Sequence, residues 1–273
     1  MKNAILICTN NLIPKNLLRY VVENAINQSI RVGDTEIVVV SHYPVVENFK
    51  TAEIAECKNQ IHEKLQQVII KEPVVKPFSD VKISNYVIGE KEYSIDTIFK
   101  QMLFGSSKTD SETIVVMEHD ILYPPNYVFK SSGIINSGFD ICFWQSSCFF
   151  SLKGFFRVKN MALSRYSFNR EFFDGLFTEK MLKKSLITEP FLTDYESVIF
   201  MNTDERFYGN HAVVVETEVL DIKHGFNTSG QCVVEKCEND HPFWGKIEDV
   251  AKLIDDNYKD AMSKNTNYSF GLW

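Results

Sequence analysis

AILICTNNLIPKNLLRYVVENAINQSIRVGDTEIVVVS, residues 4–41, is the stretch whose reading decides the fold. Ala4 to Cys8 is a short apolar run, broken by Thr9, Asn10 and Asn11. Pro14 then opens a segment in which Leu17, Leu18, Val21, Val22, Ala25 and Ile26 recur at helical spacing. A 3.6-residue period buries one face of a helix, and Gly33 is the kind of residue that ends one. In EIVVVS, residues 36–41, apolar residues do not alternate with polar ones, as expected of a strand buried on both faces of a parallel sheet. Strand, helix and strand make one βαβ unit.

The alternation continues outward. The sequence predicts a helix around residues 51–67, a strand near 85–88, a helix over 94–107 and a strand over 113–117, which together imply a parallel sheet. In such a sheet, ligands meet the loops at the carboxyl ends of the strands. Thr9 and Asn10, His42 and Tyr43, and Glu118, His119 and Asp120 should therefore share one rim. From FDICFWQSSCFF, residues 139–150, the texture becomes aromatic and β-rich, so a mixed second half is expected. No Gly/Ser/Pro linker or repeat separates the halves. An amphipathic helix is expected over 247–258, followed by a loosely held tail.

Composition narrows the class. The chain has 273 residues, a formal charge of −7, 44% hydrophobic residues, 12 Gly and 8 Pro, which excludes disordered, collagenous and coiled-coil proteins. At this length a single α/β architecture can bury a large core without disulfide or zinc staples. No apolar run approaches the roughly 20 residues of a membrane span, and no leader pattern is evident, so a cytoplasmic protein is expected. Cys8, Cys57, Cys142, Cys148, Cys232 and Cys237 lack CxxC spacing and read as reduced thiols. Cys232, Cys237 and His241 could supply three zinc ligands but lack an evident fourth.

Two stretches could carry chemistry. In VVMEHDILYPP, residues 115–125, an apolar strand ends in Glu118 and Asp120, which in extended chain would face the same side. Paired carboxylates make a hard-oxygen site for Mg²⁺ or Mn²⁺, whose other ligands commonly come from substrate phosphates. A solvated strand end is the plainer alternative. In VVVETEVLDIKHGFNTSG, residues 213–230, a β-rich run leads to His224 and then to Asn227, Thr228, Ser229 and Gly230, whose hydroxyls, amides and backbone suit phosphate oxygens. Asp194 in FLTDYESVIF, residues 191–200, is a candidate base, whereas Glu196 fits a capping box with Thr193.

These features resemble glycosyltransferases of the GT-A fold. The likeness rests on the strand and helix order of residues 4–117, on EHD at 118–120 where that family carries an Asp-x-Asp metal motif, and on KHGFNTSG at 223–230, which looks like the His-Gly-x-Asn loop of a bacterial and phage branch. The resemblance implies a Rossmann-like mixed sheet, with a nucleotide-sugar-binding half over 1–138 fused to an acceptor-side half over 139–273. It also implies that Asp120 and His224 hold Mn²⁺ or Mg²⁺ on the diphosphate of a UDP-sugar, that Glu118 contacts the metal or the ribose, and that Thr9, Asn10 and His42 border the base; Asn227 and Thr228 of the polar loop would contact the donor. Two departures stand out: Glu replaces the first Asp of the motif, and SHYP replaces the usual acidic residues after the second strand.

Residues 153–184 carry eight basic residues against three acidic ones in an otherwise acidic chain, interleaved with Phe155, Phe156, Tyr166 and Phe168. That composition suits phosphate contact and base stacking, although aromatics at such spacing are commonly core. With Arg157, Lys159, Arg165 and Arg170 as contacts, the expected acceptor is a hydroxymethylated pyrimidine in DNA, as in phage DNA modification in a host cytoplasm. The alternatives are a glycan or protein acceptor, a non-catalytic nucleotide-sugar binder, and a nucleotidyltransferase, which would release pyrophosphate rather than a nucleoside diphosphate.

Overall fold

The computed structural model describes residues 2–45, 81–89, 95–145, 148–151, 154–158, 166–175, 178, 212–216, 219–222, 233–236 and 240–253. In these the strands are β1 (Asn3–Thr9), β2 (Thr35–Ser41), β3 (Ile83–Val87), β4 (Thr113–Val116), β5 (Ile121–Leu122), β6 (Ile141–Gln145), β7 (Cys148–Ser151), β8 (Gly154–Val158), β9 (Tyr166–Asn169), β10 (Ala212–Glu216), β11 (Leu220–Ile222) and β12 (Val233–Lys236). The helices are α1 (Lys15–Val32), α2 (Ile95–Ser106), α3 (Tyr127–Asn136) and the short α4 (Ile247–Ala251).

Seven strands form the main sheet in the order β10-β6-β9-β4-β1-β2-β3. β1 pairs parallel with both β2 and β4, β2 pairs parallel with β3, and β10 pairs parallel with β6. β9 alone runs antiparallel, between β4 and β6. The sheet is thus the mixed, Rossmann-like α/β sheet with a parallel N-terminal half that the sequence predicts, and it takes strands from both sides of residue 138. A second sheet, β12-β8-β7-β11-β5, is mostly antiparallel. The helix predicted over 51–67 lies outside the described residues, and of the segment 247–258 only 247–251 is described as helix.

Both faces of the main sheet are covered. On one face Leu6, Val38, Val40, Ile114, Val116 and Phe168 pack with Met102 of α2. On the other, Ile5, Ile7, Ile37, Val39 and Val115 pack with Val21, Val22, Ala25 and Ile26 of α1 and Val128 and Ile135 of α3. The alternation of β1 side chains between these two cores is why its run is apolar throughout. α2 comes close to the sheet at Gly105, where a Cβ would collide with Leu6 Cδ1 and sit 3.1 Å from Val40 Cγ2. A third core joins Leu122, Phe150, Phe155, Leu220 and Ile222 of the second sheet to Trp244, Val250 and the start of α1.

α1 ends as its sequence predicts. Gly33 has φ 68°, and its N–H donates to the Ser29 carbonyl at 3.0 Å. The buried polar residues of this helix are fasteners. Asn24 Nδ2 donates to the Tyr123 carbonyl at 2.7 Å, Gln28 Nε2 donates to Asn24 Oδ1 at 2.7 Å, and Gln28 Oε1 accepts from Val128 N–H at 2.7 Å. Each satisfies a group that burial would otherwise leave costly, so the pairings fix where the chain runs after β5. Cys8, Cys142 and Cys148 are free and buried, as expected. Burial, and secondarily the Glu118 charge, pushes the Cys8 thiol far above its ordinary value. Burial likewise pushes Cys142 up to about 12. Cys57, Cys232 and Cys237 lie outside the described residues.

At the amino-terminal edge of the sheet, Glu36 binds the start of β3 and the α2–β4 connection together. Its carboxylate accepts from Lys82 Nζ at 2.5 Å, from Thr109 Oγ1, and from Ser111 Oγ at 3.3 Å. Burial alone would raise the Glu36 carboxyl, but these donors and the Lys82 charge outweigh it and hold it below its ordinary 4.5. A lowered carboxyl contributes stability that is complete above the unfolded value and is lost as pH falls through the folded one. Glu36→Gln should therefore lower Tm at pH 7, with a smaller gap from wild type at pH 3. An equal gap at both pH values, measured by thermal melting, would refute this role.

Candidate functional site

The order of the strands picks out one end of the sheet before any side chain is considered. From β1 the chain adds β2 and then β3 on one side, and returns to place β4 on the other. Sheets of this kind bind ligands outside the carboxyl ends of their strands where the order reverses. Here that point lies between Thr9, the end of β1, and Met117, the residue after β4. His42 N–H donates to the Thr9 carbonyl at 3.3 Å, and Gln101 Nε2 donates to the same oxygen at 3.3 Å, so the end of β2 and helix α2 close on this rim.

Glu118 and Asp120 follow β4 at this rim, but not as an extended pair. β4 ends at Val116, residues 119 and 120 form a turn, and β5 begins at Ile121. The side each carboxylate faces is therefore set by the turn and not by strand alternation, which corrects the expectation from extended chain. Glu118 is half-buried, and its charge reaches the buried Cys8 thiol and Tyr166 hydroxyl, both of which burial first and Glu118 second push upward. Asp120 is 8% exposed. Its carbonyl accepts from Ile222 N–H at 2.8 Å, at the β5–β11 pairing.

Two tyrosines that sequence reasoning passed over hold the turn. Tyr123 Oη accepts from Glu118 N–H at 2.8 Å, and Tyr127 Oη donates to the Val116 carbonyl at 3.0 Å. Their rings are 4.4 Å apart, and Tyr127 lies 5.1 Å from Trp144. The only signal in the sequence was a pair of tyrosines four residues apart beside a proline pair.

Of the residues expected to border a base, Thr9 is 1% and His42 4% exposed, and Asn10 is half-buried with Oδ1 accepting from Leu12 N–H at 2.9 Å. His224, Asn227, Thr228 and Asp194 lie outside the described residues, as do Lys159 and Arg165. Among the described residues no group of three or more His, Cys, Asp or Glu side chains is arranged to hold a metal, and no helix is long and apolar enough to cross a membrane.

The basic island divides. Arg157 lies on β8, opposite Cys148 and Glu235. Arg170 follows β9 at the far end of the sheet from the acidic turn, where its guanidinium donates to the Thr109 carbonyl at 2.9 Å. Its neighbour Thr113 is about 16 Å along the strand direction from Glu118. Phe155, Phe156, Tyr166 and Phe168 are 0%, 5%, 3% and 0% exposed. None of these rings offers a face to a base, because the two sheets need them as core.

No protein-family model and no curated protein matches the chain. Solved structures similar to it include a 4-diphosphocytidyl-2C-methyl-D-erythritol synthase from Anaerococcus prevotii, at 14% identity over 79% of this chain and 87% of that one, with a TM-score of 0.41. A CMP:2-keto-3-deoxy-manno-octonic acid synthetase complexed with CTP has 12% identity over 80% and 90%, with a TM-score of 0.43. S. aureus TarS 1–349 in complex with UDP-GlcNAc has 13% identity over 82% of this chain and 59% of that one, with a TM-score of 0.40.

Tyr123→Phe removes the acceptor for Glu118 N–H while keeping the ring. It should cost about 1 kcal/mol of unfolding free energy, the price of a half-buried donor left without its partner. Urea denaturation reads this directly, and an unchanged midpoint would show that the hydroxyl does not brace the turn.

Proposed function

We propose that the protein is a metal-dependent glycosyltransferase that moves a sugar from a nucleotide sugar, a UDP-sugar first among them, to an acceptor hydroxyl. The observation that carries this is the acidic turn at the strand-order reversal beside β1, pinned by Tyr123 and Tyr127. Its backbone is braced, and it carries two carboxylates at the end of the sheet where α/β folds receive their ligands.

Glu118 and Asp120 fit Mn²⁺ or Mg²⁺ by donor chemistry, with donor phosphates supplying further oxygens. His224 is the proposed third protein ligand. Support comes from β11: Ile222 is hydrogen-bonded to Asp120, and the two residues from there to His224 span at most about 7 Å of chain. Sugar transfer leaves negative charge on a departing diphosphate, and a bound cation supplies its neutralisation. Asp120 and Glu118 would hold that cation at the end of β4, Asn227 and Thr228 donate to the diphosphate oxygens, Thr9, Asn10 and His42 shape the base end, and Asp194 is the proposed acceptor of the hydroxyl proton. Asp120→Asn should lower Mn²⁺-dependent turnover of UDP-sugars by about a hundredfold or more with folding intact. Full activity of that variant in excess chelator would reject the metal role.

The acceptor we propose is a hydroxymethylated pyrimidine in DNA, contacted through Arg157, Lys159 and Arg165. Charge alone must carry it, since the interleaved aromatics are core. That burial favours a second reading, a glycan or protein hydroxyl in a cytoplasmic or membrane-peripheral setting. DNA binding through these cations should weaken steeply as salt rises and vanish when the three are reversed in charge. Salt-insensitive or absent binding, with no sugar added to hydroxymethylated DNA by mass spectrometry, would decide for the second reading.

A further inference from the structure

The end of the main sheet opposite the acidic turn holds a cavity of about 490 Å³, within the size range of small-molecule sites. It lies where the parallel strands begin: Asn3 of β1, Thr35 and Glu36 of β2, Lys82 before β3 and Ser111 before β4 all line it. β1 runs seven residues from Asn3 to Thr9. At the rise of an extended strand, about 20 Å therefore separates this cavity from the rim that carries Glu118 and Asp120. The proposed sugar transfer makes no use of it.

The floor is polar and buried. Asn3, Ser29, Thr35 and Ser111 are 5%, 3%, 8% and 1% exposed. Ser29 Oγ donates to the Thr35 carbonyl at 2.7 Å, Thr35 Oγ1 to the Gly33 carbonyl at 2.7 Å, and Ser111 Oγ to the Glu36 carboxylate at 3.3 Å. A hydroxyl that has given its proton away can offer only lone pairs, so these three are left as acceptors. Asn3 adds a fourth. Ile5 and Ile7, which share its face of β1, pack against α1, so its side chain stands on the side from which Ser29 lines the cavity. Its Oδ1 is buried and has no hydrogen-bond partner among the described residues. Burial of an unpaired acceptor is costly, and a bound donor relieves it.

Charge at the mouth gives the ligand its sign. Asp34 and Asp110 are exposed there, and no ion pair among the described residues engages either carboxylate. Of the three lysines that line the cavity, Lys82 is paired with Glu36, and Lys108 Nζ lies 4.7 Å from the centre of the Phe104 ring and 5.8 Å from that of Tyr86, which leaves Lys2. Acceptors on the floor and an excess of carboxylate at the mouth match an ammonium, which has three donors and no acceptor. We propose that this cavity is a second ligand site, and that it takes a small aliphatic primary ammonium compound of the diamine class. One ammonium meets Asn3 and the floor hydroxyls, and the other lies between Asp34 and Asp110. The site is independent of the nucleotide-sugar reading.

Isothermal titration of the full chain with putrescine tests this, with 1,4-butanediol as the uncharged chain of matching length. Putrescine should saturate a single site per chain, and butanediol should bind about tenfold more weakly or worse. The double variant Asp34→Asn/Asp110→Asn, changed only at exposed positions, should weaken putrescine about tenfold while its melting temperature stays close to that of wild type. Asn3→Leu removes the floor acceptor and should weaken it severalfold. Since Asn3 is buried, that variant counts only if it melts as a folded protein, and the double variant decides the matter where it does not. Putrescine uptake that the double variant leaves unchanged would show only the diffuse attraction of an acidic chain for a cation, and overturns the site. Butanediol binding as tightly as putrescine, or no binding of putrescine by wild type, overturns it as well. UDP-sugar turnover by the double variant should match wild type, so failure of this site leaves the transferase reading where it stands.

Discussion

The whole arrangement depends on β1 having no free edge and no solvent face. Its main chain is laddered to β2 along one side and to β4 along the other, and all seven of its residues are buried. Buried peptide groups must be paired, so a strand with apolar side chains on both faces has to sit inside a sheet. Parallel neighbours on both sides then require crossovers, which α1 and α2 supply on opposite faces. The same geometry brings the ends of β1, β2 and β4 to one rim, with the strand order reversing between the first and the last. The position of the acidic turn is thus a consequence of how the central strand is satisfied.

At that rim the two sheets are joined by a very short turn carrying three charged or titratable residues. A run such as 118–120 would be expected to wander if only solvent held it. Instead a tyrosine hydroxyl accepts its first N–H, a second tyrosine ties the strand before it, and amides from α1 reach under the chain that follows. Bracing of this kind leaves the backbone that carries Glu118 and Asp120 little freedom to rearrange. Asn11 does for the neighbouring turns what the tyrosines do here, its amide accepting from Tyr43 N–H and donating to the Tyr43 carbonyl.

Away from the acidic turn, burial separates two features that look like one in the sequence. The basic residues of 153–184 and the aromatic residues between them suggest a single nucleic-acid surface. The aromatics line sheet interiors, and Arg170 serves the α2–β4 connection at the opposite edge. Strand alternation is the reason: in β8 and β9, neighbours in sequence point to opposite faces, so a ring and a cation can be adjacent in the chain and unrelated in space.

The sequence by itself determined the order of the described strands and helices of the N-terminal half, the glycine stop at 33, the burial of Cys8 and Cys142, and the presence of two carboxylates after a strand end. Those follow from local periodicity and local chain chemistry, which a linear string records. Only the tertiary structure decided that Glu118 and Asp120 sit in a turn, that Tyr123 and Tyr127 brace it, that Asn11 clasps Tyr43 across 32 positions, and that Glu36 collects Lys82, Thr109 and Ser111. These are hydrogen bonds between residues whose types are ordinary and whose partners are chosen by strand register and helix packing. No spacing in the sequence encodes such a pairing until the sheet has brought its ends together.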